Sequence, residues 1–343
     1  MFFASRDGWI TKYDLWNLAV VAEIRAGINT RNVAVSLDGR HVAVANYLPR
    51  NLVLLDGELN LKKVLPAVAR NGELTSRVSA VYDAAPRNSF IAALKDVPEI
   101  WEISYDEKAE PIYDGLVHDY RMGEAIPTPG YLNPRRTLLE APLDDFFFDQ
   151  DYRVVMGASR DGHGQVVNLD VRRKIGELPL DGMPHLGSGI TWTWTDPQGE
   201  AHTVMASTNL KAAEVTVIDM RDWSIIKRIP TRGPGFFLRS HANSRYAFVD
   251  SMMKPDVSHI LQVIDKQTLE VVKELSVEPG RTLAHVEFTR DGRYALASLW
   301  EDDGALIVYD AQTLAEVRRL PMRKPVGKYN VWNKITREEG TSH

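Results

Sequence analysis

The sequence predicts an all-β fold, a β-propeller of four-stranded blades with seven repeats visible. Three observations predict it: short apolar strands that end in an acidic residue recur along the chain, tight turns recur in phase with them, and helical periodicity is largely absent. The acidic markers are Asp14, Asp56, Glu102, Asp170, Asp219, Asp265 and Asp310, separated by 42, 46, 68, 49, 46 and 45 residues. A period of about 45 residues with several strands per unit is the signature of a propeller.

In order along the chain, the first repeat begins at Met1 directly on a middle strand and lacks its innermost one. The second carries the alternation Val33-Ala34-Val35 and the turn Asp38-Gly39-Arg40-His41, where Asp-Gly supplies positive φ. The third, marked by Glu102, is the weakest member. The long gap after it marks a loop insertion near residues 106–142, rich in proline at 111, 127, 129, 134 and 142. The run Leu143 to Asp149, with Phe146, Phe147 and Phe148, reads as an innermost strand packed between blades rather than as a paired-carboxylate site. Later repeats end at Asp170, Asp219, Asp265 and Asp310, each followed by a turn and an outer strand such as Leu269 to Leu275. The stretch Gly327 to Lys334 reads as one more strand, placed to serve as the missing innermost strand of the first blade; the alternative is a fragment of a longer propeller. A single domain over 1–343 is expected.

Composition narrows the function. The 343 residues are 44% hydrophobic and 25% charged, an ordinary globular balance. The absence of cysteine excludes disulfides, iron–sulfur clusters, a thiol nucleophile, a thiolate zinc site and covalent c-type haem in this chain. A formal net charge of -5 with scattered Lys and Arg gives no case for nucleic acid. No apolar run reaches the ~18 residues of a membrane span, and no signal peptide is visible at Met1-Phe2-Phe3.

Histidine placement is the best clue to chemistry. His185 immediately precedes one innermost strand, His241 sits where the next one turns, and His285 lies on the third. Three consecutive repeats could thus bring imidazoles around one cavity, and imidazole suits a transition metal or proton exchange near neutrality. A structural role for each histidine is the competing reading. His41 and His343 are expected at the surface. Arg31 and Arg77 begin innermost strands of earlier repeats and could pair with ligand carboxylates or take part in ordinary inter-blade ion pairing. Gly187-Ser188-Gly189 lacks the surroundings of a nucleophile elbow or phosphate loop.

At these residues the sequence resembles the haem d1 propeller of the cytochrome cd1 nitrite reductases and their relatives. The resemblance covers nearly the whole chain. It is carried by Arg6 to Trp9, Tyr13 to Trp16, Gly182 to Trp192, Arg232 to Asp250, Val286 to Trp300 and Lys324 to Asn333, and it is closest to the dihydro-haem d1 dehydrogenase (NirN) branch. The family propeller has eight blades, so the resemblance implies that an N-terminal blade and one strand are absent here. It implies a haem d1 or dihydro-haem d1 ligand with its iron, held by Arg31, Arg77, His185, His241, His285 and Gly327. His285 would be the iron ligand, and His185 and His241 the catalytic pair, with His185 as the acid–base group. The implied reaction oxidises a ring propionate to an acrylate, which requires a base beside the carbon acid. A c-type cytochrome would accept the electrons, nitrite reductase is a further partner, and the family works in the periplasm. The resemblance also allows a non-enzymatic haem d1 carrier, or a nitrite reductase domain.

Overall fold

The computed structural model describes residues 1–113 and 127–325. Seven antiparallel sheets follow one another along the chain, the blade series of a β-propeller. Six have four strands in simple meander order, spanning Asn29–Pro66, Val78–Leu138, Asp145–Leu178, Pro184–Pro230, Leu238–Ser276 and Leu283–Pro321. The first has three strands, Phe2–Ala4, Trp9–Asp14 and Ala19–Arg25, and starts, as expected, on what is the second strand elsewhere. The expected strand over 327–334 lies outside the described residues.

The chain divides into two compact units, Met1–Asp145 with Val167–Lys174, and Phe146–Val166 with Ile175–His343. Each unit has its own core. In the first, Leu52, Leu54, Val81, Phe90 and Trp101 are buried together; in the second, Phe248, Val263, Val286, Phe288 and Ile307 are. Second strands such as Ser89–Leu94 are buried at every position, as expected for a strand covered on both faces, whereas outer strands such as Glu270–Ser276 are mostly exposed.

The acidic markers have a physical cause. Most of the terminal carboxylates fold over the turn to the outer strand and accept its backbone N–H groups, whereas Glu102 pairs with Arg87. Asp14 takes those of Trp16 and Asn17, Asp56 those of Glu58 and Asn60, Asp265 those of Gln267 and Thr268, and Asp310 those of Gln312 and Thr313. The turn then needs a left-handed residue, supplied by Leu18, Leu59, Leu269 and Leu314 with φ between 51° and 67°. That conformation costs roughly 1–2 kcal/mol for a residue with a Cβ, which the carboxylate's hydrogen bonds offset.

The fourth sheet corrects one marker. Asn168, not Asp170, occupies this place: its Oδ1 accepts the N–H groups of Asp170 and Val171, and Arg172 is the left-handed residue. Asn168 therefore shows that a neutral acceptor suffices in this turn. Asp265→Ala is accordingly expected to lower stability by about 2–3 kcal/mol and Asp265→Asn by distinctly less, measured by urea unfolding. Equal losses for the two variants would refute the turn as the cause.

A second difference concerns the insertion. Pro134–Leu138, inside the span read as loop, is the outer strand of the third sheet, pairing from Ile103↔Pro134 to Glu99↔Leu138. Proline is tolerated because the strand is an edge and needs no N–H there. Arg136 fixes it, with one nitrogen 2.6 Å from Glu99 and its guanidinium 4.7 Å over the Trp101 ring.

Candidate functional site

The first strands of the fifth, sixth and seventh sheets, Pro184–Thr195, Leu238–Arg239 and Leu283–Phe288, carry or adjoin the three histidines. All belong to the second unit. His185 is half-buried, and its Nδ1 lies 2.7 Å from the carbonyl oxygen of Phe236. A carbonyl only accepts, so the ring proton sits on Nδ1 and the lone pair on Nε2, the form a general base requires. Strand Pro184–Thr195 carries a register shift between His185 and Ile190. A glycine is required within it, because a Cβ on Gly189 would lie 2.5 Å from the Phe147 ring.

Two phenylalanines link His185 to His285. The His185 and Phe236 rings are 4.2 Å apart, Phe236 and Phe237 are 4.7 Å apart, and Phe237 meets the His285 ring edge-on at 4.2 Å. Gly235 lets this segment lie on the sixth sheet, since a Cβ there would come within 2.6 Å of Val249. His285 is 2% exposed and has φ +52°, a left-handed conformation at a shift in strand register between Ala284 and Glu287. A β-strand histidine in that region stores strain of about 1–3 kcal/mol and persists only where its surroundings fix it. Asp250, fully buried, holds the aromatic pair that adjoins it: the carboxylate accepts the N–H groups of Phe236 and Phe237, at 2.8 and 3.1 Å. Burial pushes the Asp250 carboxyl up to about 6, against the pull of these donors.

His241 was expected beside His185 as a catalytic and ligand-binding residue, and the structure gives it other partners. Its Nδ1 accepts the Asn243 N–H at 3.0 Å, which requires the proton on Nε2, and that nitrogen reaches the Arg290 carbonyl at 3.2 Å. The ring is fully buried beside Gly292, where a Cβ would come within 2.3 Å of Nδ1. His241 holds the turns of two neighbouring sheets.

The arginines lie in the first unit. Arg31 is exposed and has no ion-pair partner among the described residues. Arg77 is engaged by Asp96 through both Nε and a terminal nitrogen and lies 5.3 Å over the Tyr47 ring. The pairing holds the Asp96 carboxyl down at about 2. Arg77 is thus taken up by an ion pair, within the third sheet rather than between blades. Gly327 lies outside the described residues, as does His343. His41, expected at the surface, is half-buried with its ring stacked 5.4 Å from that of Tyr105.

Two other features were not foreseen. Asp196, Glu200 and His202 bring possible metal-ligating atoms within 4.8 Å of one another. His202 is already committed there, with Nδ1 2.6 Å from Asp219 and the Arg221 guanidinium beside the ring, so the group reads as an ion-pair network. A cavity of about 260 Å³ beside the third sheet is lined by charges of both signs, Arg87, Arg135 and Lys108 against Glu102, Asp106 and Glu110. Sequence reasoning also missed Phe236, Phe237 and Asp250. The only local signal was the Gly-Pro-Gly stretch that delivers the aromatic pair.

The family described as "Cytochrome D1 heme domain" matches residues 1–334. The chain is 52% identical over 345 residues to the dihydro-heme d1 dehydrogenase of Pseudomonas aeruginosa, a match that takes in 100% of this chain and 64% of that protein. It is 31% identical over 338 residues to Protein NirF of the same organism, covering 94% of this chain and 77% of that one. A solved structure described as dihydro-heme d1 dehydrogenase NirN in complex with DHE superposes with a TM-score of 0.85 at 51% identity, over 97% of this chain and 66% of the other. The chain thus spans about two-thirds of the length of its 52%-identical relative.

Proposed function

The chain belongs to the cytochrome D1 haem domain family, and from that premise we propose that it binds dihydro-haem d1 and acts as a dihydro-haem d1 dehydrogenase-like oxidoreductase of haem d1 biosynthesis. The observation that carries this reading is the succession His185, Phe236, Phe237, His285: two imidazoles joined by two aromatic rings, next to one another in the same unit. Aromatic faces suit a flat apolar macrocycle, and imidazole suits its iron.

The substrate brings its own iron and the propionate to be oxidised. His285 ligates the iron in this reading, and its strained backbone fixes where the ring can stand. His185, with its proton on Nδ1, takes a proton at Nε2 from the propionate methylene next to the carboxylate. Conversion of the CH₂–CH₂ unit to CH=CH releases two protons and two electrons. One proton goes to His185 and the other to solvent, and the electrons go to two equivalents of an oxidised one-electron acceptor, a c-type cytochrome. The expected carboxylate anchors, Arg31 and Arg77, belong to the other unit, and Arg77 is engaged by Asp96. His241 supports the scaffold rather than the chemistry. The natural setting of this activity is the periplasm, in supply of haem d1 to the nitrite reductase of denitrification. Among the described residues no helix is long and apolar enough to cross a membrane.

The test is an absorbance titration with dihydro-haem d1, followed by addition of oxidised cytochrome c. Saturable binding and conversion to haem d1 are expected. His285→Ala should weaken binding by about 10- to 100-fold, as loss of a metal ligand or its support does, and alter the bound spectrum. Binding without conversion would leave a carrier, and no binding would refute the reading.

A further inference from the structure

We propose that Asp250 is the positioning residue of this site, a single carboxylate that holds His185 and His285 in register with each other. The inference rests on the reading of those two histidines as substrate-facing, and goes beyond it by assigning what sets their geometry.

Asp250 ends the second strand of the sixth sheet, Tyr246–Asp250, and is 0% exposed. The turn carboxylates of this chain serve the backbone that immediately follows them; Asp250 also reaches back to a segment 13 and 14 residues earlier. Oδ1 accepts the Phe236 N–H at 2.8 Å and, more distantly, the N–H of Met252 at 3.4 Å; Oδ2 accepts the Phe237 N–H at 3.1 Å. Two of these contacts lead to a histidine. Phe236 gives its N–H to Asp250 and offers its carbonyl to His185 Nδ1, so the residue that orients His185 is itself oriented by Asp250. Phe237, held through its own N–H, meets the His285 ring edge-on at 4.2 Å, beside a backbone at φ +52° where strain demands an external hold.

A carboxylate has about four acceptor sites, and three N–H groups converge on this one. An amide cannot replace it, because its NH₂ would face donors with nothing to accept it. Asp250→Asn must therefore release the Phe236–Phe237 segment, and with it the support of both histidine rings, while the core of the sheet, built from Phe248, Leu261 and Val263, is untouched. The control is Asp265→Asn, a buried carboxylate of the same sheet that serves only its own turn and a surface arginine.

The experiment compares wild type, Asp250→Asn, Asp265→Asn and His285→Ala, each as the whole chain and each checked for folding by circular dichroism. Two readouts are taken. In the ligand-free protein, ¹⁵N shifts of the histidine ring nitrogens report the tautomer of His185. Wild type should show Nδ1–H, Asp250→Asn a mixture, and Asp265→Asn the wild-type state. With dihydro-haem d1, Asp250→Asn should give a shifted bound spectrum and a turnover lower by about 10- to 100-fold, and the double variant with His285→Ala should be little worse than His285→Ala alone. A wild-type tautomer and spectrum in Asp250→Asn, or strictly additive losses, would overturn the proposal. If Asp250→Asn does not fold, Asp250→Ser, which keeps an oxygen acceptor without the amide donors, is read in the same way. Failure of both to fold would overturn the proposal in favour of a purely structural carboxylate. A wild type that binds no tetrapyrrole refutes the function proposed for the site, while the tautomer measurement still judges Asp250.

Discussion

His185→Ala is expected to lower turnover of dihydro-haem d1 by about 10²- to 10⁴-fold, the range a positioned general base supplies, while binding changes only a few-fold. The asymmetry follows from the geometry. His185 is half-buried at the start of its strand, with Nδ1 anchored on the Phe236 carbonyl, so its ring is held by the protein and presents Nε2 as the lone-pair nitrogen. Its ring packs on Phe236 at 4.2 Å, and alanine removes that contact but leaves the phenylalanine pair and His285 in place. Steady-state kinetics with oxidised cytochrome c, alongside absorbance titration, separate the two effects. A loss confined to KM with kcat preserved would show that His185 binds rather than catalyses.

Asp83→Asn is expected to stabilise the protein at neutral and alkaline pH and to lose that advantage in acid. Asp83 lies on the first strand of the third sheet, Val78–Ala84, largely withdrawn from water. Burial pushes its carboxyl up to about 7, although the Tyr105 hydroxyl, at 2.9 Å, donates to it. A carboxyl raised in the folded state binds its proton more tightly there than in the unfolded chain. Its contribution is therefore fully present below the ordinary value of 3.8 and is lost as pH rises through about 7. Above pH 7 the ionised group burdens the fold by an amount on the order of 4 kcal/mol. Asparagine carries no charge and keeps one acceptor oxygen. After allowing for a weaker hydrogen bond, a gain of about 1–2 kcal/mol at pH 8 is expected, vanishing near pH 4. Urea unfolding across that range measures it, and a difference between the proteins that does not vary with pH would refute the assignment.

The features legible in the sequence are those with local causes. The acidic markers could be read because a carboxylate and the N–H groups it accepts are two to four residues apart. The three-stranded first sheet could be read because Trp9–Asp14 ends as Asn51–Asp56 and Ile260–Asp265 do. The histidines could be placed on first strands by counting from the turns. What escaped depends on partners distant in sequence. Arg77 looked available for a ligand, yet Asp96, 19 residues on, claims it once the strands are paired. His241 was correctly located, but its ring partner Arg290 belongs to the next sheet. Asp250 carried no local signal, and only the fold brings it to Phe236 and Phe237. Pro134 was misleading for the opposite reason: proline is a strong local signal for loop, and an edge position overrides it.

The meander order has a consequence for how the chain is made. Among the described residues every strand pairs with a neighbour in sequence, so each sheet needs only about 24 to 61 consecutive residues, from Phe2–Arg25 to Val78–Leu138, to close its ladder. Short separations reduce the loop entropy that slows β proteins. A ribosome delivering the chain at a few residues per second would release one hydrogen-bonded sheet before the next was finished, and the site, shared among the fifth to seventh sheets, would be assembled late in synthesis.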